Sequence, residues 1–193
     1  MSLLGEYLDE RLRIYIWSGF YQRSRILEML GEDAEGEGES IAPAELARIV
    51  DSELRVKREA EKAWPERTDC DKLDQAFAEL ERGKIIALQN VGFTQTDGFA
   101  VCCEEYERRG EARSGVIGFC FYTFQDLERG VGGYGIDFGF GATDGETEAS
   151  VAVGQAICGA LTGQGFEVDW DGSTGRRPRL RAIDWKRRGP WNE

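Results

Sequence analysis

A chain of 193 residues with 24 Lys and Arg against 36 Asp and Glu carries a formal charge of −12, and it contains no histidine. Without imidazole it can build neither a Ser-His-Asp nor a Cys-His nucleophile within itself, nor a His-ligated zinc site, and its charge opposes nucleic-acid binding, which depends on Lys and Arg against phosphate. A hydrophobic fraction of 41% with 11% aromatic residues is that of a folded chain, not of a disordered acidic one.

In chain order, Leu4, Tyr7, Leu8, Leu12, Tyr15 and Ile16, then Ile26, Leu27 and Leu30, recur at intervals of three and four. This spacing predicts two helices broken near Ser18-Gly19. Residues 31–40 (GEDAEGEGES) hold a single apolar residue, Ala34, and read as a mobile linker. Ala44 to Trp64 predicts a third helix, opened by Pro43 and ended before Pro65. Thr68, with Asp71 three residues later, is placed to cap a fourth helix running through Leu73, Phe77 and Leu80 to Gly83.

Beyond Gly83 the texture changes to short apolar runs between Gly-rich turns. The pattern predicts a strand over 85–92, a helix over 99–109, strands over 116–123 and 134–141, a helix over 148–163 and a strand over 166–170. A short helical turn, QDLERG, falls between the second and third strands. This order, β-α-β-β-α-β, is that of a ferredoxin-like antiparallel sheet of four strands with two helices on one face, and 179–185 is expected to add an edge strand. The expected class is therefore α+β: a helical part, 1–83, packed on an α+β sandwich part, 84–193, in one compact unit.

The five cysteines are odd in number, lack any C-x-x-C pair, and include the neighbours Cys102 and Cys103. They read as reduced, mostly buried thiols of a cytoplasmic protein rather than as a disulfide framework or a metal site. Cys70 falls in the first turn of a predicted helix, where Asp69 and Asp71 oppose activation of its thiol. The first residues are acidic where a secretory signal would be basic, and no stretch approaches the ~20 apolar residues of a membrane span, so no membrane partner is expected.

Alternation in two strands carries the most geometric information. Over 134–141, Tyr134, Ile136, Phe138 and Phe140 share one face, leaving Asp137 with three glycines on the other; over 166–171, Glu167, Asp169 and Asp171 oppose Phe166, Val168 and Trp170. Asp137, Glu167 and Asp169 would then form an acidic face beside bare glycines, either open to a partner, or simply solvated, or paired with the chain's own basic tail. That tail is distinctive, because residues 176–193 hold seven basic and two acidic groups while 1–83 and 84–175 carry −8 and −9. The remainder of the chain is the nearest acidic surface to which it could bind.

Polar groups also cluster at strand ends: Gln89 and Asn90, Asp97 in the run TQTDG, Tyr122, and Asp126. Glu167-x-Asp169-x-Asp171-Gly172 copies the opening of a calcium loop but has Pro178 where the bidentate Glu is needed. Gly130 to Gly135 matches G-x-G-x-x-G but precedes a strand, which makes it a turn and not a pyrophosphate cradle.

The words TDCDKLDQAF, ALQNVGFTQTDG, GFCFYTFQDLERGV, YGIDFGFG and VDWDG, in this order over about residues 10–190, resemble an uncharacterised bacterial family, the domain of unknown function DUF6891. The resemblance implies a shared fold and transfers no activity.

Two function classes remain. One is an acidic protein-binding module, with an inhibitor, immunity or regulatory role, whose surface engages a basic partner; it needs no cofactor. The alternative is a small carboxylate-dependent enzyme such as a hydrolase, with or without a divalent metal, using Asp97, Asp126, Asp137 and Asp169. Either a monomer or a homodimer through strand 116–123 or 179–185 is compatible with the exposed edges expected of a small sheet.

Overall fold

The computed structural model describes residues 4–191. The protein is of mixed α+β class, and its contacts divide it into two compact units. The first runs to Thr68 and regains the chain from Lys186; the second is Asp69–Trp185. The division thus falls before the fourth helix, not at Gly83 after it, and gives the end of the basic tail to the helical unit.

Unit 1 holds α1 (Glu6–Ser18), α2 (Arg23–Gly36) and α3 (Pro43–Glu61). Its core repeats every four residues: Leu8, Leu12 and Ile16 from α1, Ile26, Leu30 and Ala34 from α2, and Leu46, Val50 and Leu54 from α3 are all buried. The expected linker at 31–40 is helical through Gly36. Ala34 continues the buried row of Ile26 and Leu30, and Asp33 accepts a hydrogen bond from Tyr15 Oη at 2.6 Å and from Arg11 Nε at 3.2 Å. These tertiary contacts outweigh the cost of about 1 kcal/mol that each helical glycine carries.

α1 stops at Gly19, whose φ of +77° suits glycine; a Cβ there would also stand 2.6 Å from the carbonyl oxygen of Arg187. The returning segment is held by charge. Lys57, fully buried, donates from Nζ to the Ile16 carbonyl at 3.0 Å and faces Glu61 at 3.7 Å. Glu61 in turn accepts from the Gly189 amide at 2.9 Å and from Trp191 Nε1 at 2.5 Å.

Unit 2 runs α4 (Asp69–Arg82), β1 (Ile85–Leu88), α5 (Gln95–Arg108), a 3₁₀ turn at Glu111–Ser114, β2 (Gly118–Phe121), α6 (Phe124–Val131), β3 (Ile136–Asp137), β4 (Gly139–Ala142), α7 (Thr147–Gly163), β5 (Val168–Asp169) and β6 (Arg179–Leu180). Two three-stranded sheets result, in the orders β1-β2-β4 and β3-β6-β5. β1 and β2 are parallel, joined through α5, and every other pair is antiparallel.

This arrangement differs from the ferredoxin-like order expected. The alternating run 134–141 is two strands: Ile136 and Asp137 pair with β6, and Gly139 to Ala142 pair with β2. Buried Phe138 lies between them, its amide donating to the Pro178 carbonyl at 2.9 Å. β2 and β6, the strands expected to offer free edges, are each the middle strand of a sheet. The exposed edge of β1 is partly closed, because Glu81 Oε1 accepts from the Ala87 amide at 2.8 Å while Arg109 holds the same carboxylate at 2.7 Å.

Two aromatic triads fill unit 2. Phe77, Tyr122 and Phe138 meet at centroid distances of 5.8 to 6.2 Å, and Phe99, Phe119 and Phe121 at 5.1 to 6.4 Å. The Phe121 ring sits against the α-carbons of Gly98 on α5 and Gly139 on β4, and a Cβ on either would overlap it.

All five cysteines are free. Burial pushes the Cys102 thiol up to about 12 and raises Cys120 and Cys158 above the ordinary thiol value, which disfavours the reactive thiolate. Treating the folded protein with a thiol reagent near about pH 8 is expected to modify exposed Cys103 first and to spare Cys102 and Cys120 until denaturant is added. Peptide mapping that finds Cys120 modified in the folded protein would contradict this burial.

Candidate functional site

The site residues expected from sequence fall into three places. Gln89 and Tyr122 follow the ends of the parallel strands β1 and β2 and bond each other: buried Tyr122 donates from Oη to Gln89 Oε1 at 2.9 Å, and Gln89 Nε2 donates to Asp74 at 2.7 Å. Asn90, at φ +53°, turns the chain out of β1. These groups lock the strand ends to α4.

Asp97 and Asp126 are helix caps. Thr94 and Asp97 open α5, and Thr123 and Asp126 open α6, each pair a reciprocal capping box. Hydrogen bonds from the Thr94 backbone and hydroxyl hold the Asp97 carboxyl below its ordinary range. The signal Thr-x-x-Asp was present in both segments, and it starts α5 at Gln95, four residues before the helix expected at 99.

The third place is an arginine–aspartate ladder. Register sets Arg179 of β6 opposite Asp137 of β3 on one side and Asp169 of β5 on the other. Strand alternation predicts Asp137 and Asp169 on one face, and in the folded chain a basic strand lies between them. Asp137 accepts from Arg129 at 2.7 Å and stands 3.8 Å from Arg177, and Asp169 accepts from Arg176 at 2.7 Å. Asp126, buried, takes both Nη atoms of Arg177 at 3.2 Å. Arg177 thereby joins Asp126 to Asp137. Of the face expected to be open, only Glu167 is exposed, and its backbone carbonyl is bonded to the Arg181 amide at 3.0 Å. The first part of the basic tail is thus spent within unit 2, and no group of three or more His, Cys, Asp or Glu able to hold a metal occurs among the described residues.

Unbalanced acid lies elsewhere. Between Glu28 and Glu45 the sequence has seven acidic residues and no basic one. The end of α2, the loop after it and the start of α3 enclose a cavity of about 710 Å³ whose walls carry Glu28, Glu32, Glu35 and Glu39 beside apolar Leu27 and Leu46. Glu28 pairs with Arg25 at 2.6 Å, whereas Glu32, Glu35 and Glu39 form no ion pair among the described residues. Reading 31–40 as a linker hid this groove. The signal that could have found it is the charge run itself, set against the i, i+4 row of Ile26, Leu30 and Ala34.

Over residues 3–189 the chain matches the family described as Domain of unknown function (DUF6891). It is a member of that family. No curated protein and no solved structure matches it. The arginine–aspartate ladder, both capping boxes and the glutamate groove all lie within the span that defines the family match.

Proposed function

We propose that this DUF6891 protein is an acidic binding module, and that the glutamate-walled groove of α2 and α3 receives a basic segment of a partner protein. The observation that carries this reading is the groove's composition: apolar walls under three glutamates that form no close ion pair among the described residues, Arg25 acting on Glu32 only at longer range. Like charges at i, i+3 and i, i+4 each cost a few tenths of a kcal/mol in a helix, so a run of this kind works against folding, and a bound cation would relieve that cost. Lys or Arg side chains suit such a groove, since their aliphatic stems cover apolar surface while their charges meet the rim.

The carboxylate-enzyme alternative draws less support. Asp97 is spent on a capping box, Asp126 on a capping box and Arg177, and Asp137 and Asp169 on Arg129 and Arg176. None is left as a lone acid facing a cavity with a second one.

The test is affinity purification from the native host, comparing the wild-type chain with Glu32→Lys/Glu35→Lys. The wild type is expected to retain a basic protein at low salt and release it at about 0.5 M, and the purified partner is expected to bind the variant at least about tenfold more weakly. Retention undiminished by the charge reversal, or no retained basic protein, overturns the reading.

A further inference from the structure

A second cavity, of about 430 Å³, lies in unit 2 and has the opposite charge. Arg176, Arg177 and Arg179 line it with Asp137, Thr174 and Gln95, the last being the first residue of α5. Three arginines and one aspartate therefore share its lining. The acids that hold Arg176 and Arg177, Asp169 and Asp126, are not in the lining, and Asp137 is engaged by Arg129, which is not in it either.

The arginines keep donors to spare. Arg179 donates to the Tyr134 carbonyl at 3.3 Å and stays 4.0 Å from Asp137, so no carboxylate lies within its hydrogen-bonding distance. Arg176 spends one Nη on Asp169 at 2.7 Å. A guanidinium offers five N–H donors, most of which these two leave uncommitted.

The loop that presents them is pinned. Trp170 Nε1 donates to the carbonyls of Ser173 at 3.0 Å and Arg176 at 2.8 Å, and Asp171 accepts from the Ser173 amide at 2.9 Å. The indole itself packs edge-on against Phe140 at 5.7 Å. In a chain of net charge −12, a fixed loop that gathers cationic forks at one cavity needs a reason beyond internal pairing.

We propose that this cavity binds the phosphate group of a small phosphorylated molecule. A phosphate monoester carries about two negative charges near neutrality, its oxygens accept the paired N–H groups of a guanidinium, and the cluster around the cavity, four arginines against Asp126, Asp137 and Asp169, is cationic before it binds. This inference stands on unit 2 alone and is independent of the glutamate groove in unit 1.

The full chain is titrated with sodium phosphate at constant ionic strength, with sodium chloride as the counter-titrant, and followed by the amide and arginine Nε–H resonances of residues 173–179. Saturable shifts with a Kd below about 5 mM are expected, and Arg176→Gln and Arg179→Gln are each expected to weaken binding about tenfold while leaving the thermal midpoint close to that of the wild type. Absence of saturation in the wild-type chain, or wild-type affinity in both variants, overturns the site. Succinate is the second probe: tighter binding than phosphate overturns the phosphate assignment in favour of a dicarboxylate.

Discussion

Replacing Arg177 by Ala is expected to destabilise unit 2 by about 2–3 kcal/mol, because it strips two charge-assisted hydrogen bonds from a carboxylate that has left water. Asp126 is 3% exposed and keeps only its Thr123 cap when Arg177 is gone. Repulsion between Asp126 and Asp137, which Arg177 now bridges, acts in the same direction. For a chain of this size the loss corresponds to a fall of roughly 4–10 °C in the thermal midpoint. Asp126→Ala with Arg177→Ala is expected to cost less than the sum of the single changes, since the second removes a partner already lost. Additive losses measured by calorimetry would show that the pair is not a unit.

Gly98→Ala is expected to cost about 2 kcal/mol even though alanine is the better helix former by about 1 kcal/mol. The added methyl overlaps the Phe121 ring, and that ring cannot withdraw because Gly139 closes on it from β4 and Phe99 meets it at 5.1 Å. Phe121→Leu relieves the overlap at its own cost of about 1–2 kcal/mol. The double variant is therefore expected to be more stable than the sum of its parts by at least about 1 kcal/mol, a sign opposite to that of simple accumulation of damage. Urea denaturation of the four proteins measures the coupling, and a coupling near zero would place the ring elsewhere.

Local pattern carried the helices well, for a physical reason. Leu8, Leu12 and Ile16, or Leu46, Val50 and Leu54, lie on one face whatever the helix packs against, so spacing alone reveals them. Strand alternation likewise placed Asp137 and Asp169 on a common face. Partner choice was not legible: residues 134–141 show one unbroken alternation, yet a buried Phe138 hands the chain from β6 to β2, and nothing local marks the change. Pairing is decided by residues far along the chain, 42 to 44 positions away for β3 and 18 to 24 for β4, as Arg179 opposite Asp137 illustrates. The glutamate groove was obscured for a different reason, in that a glycine-rich acidic run has the composition of a linker, and only Ala34, Asp33 and their contacts with α1 hold it as helix.

The return of the chain to unit 1 at Lys186 sets an order of events during synthesis. Gly189 and Trp191 bond Glu61, and Arg188 donates to the Pro65 carbonyl at 2.8 Å, so the helical unit lacks its closing segment until residues 186–191 have been made and released. Unit 2 has no such debt: its ends meet where the Asp184 amide donates to Asp69 at 3.1 Å, and every strand it pairs lies between them. Unit 1 is thus begun before unit 2 and completed after it, and a released chain truncated after Trp185 would hold every residue of the second unit while the three helices lack the segment that closes them.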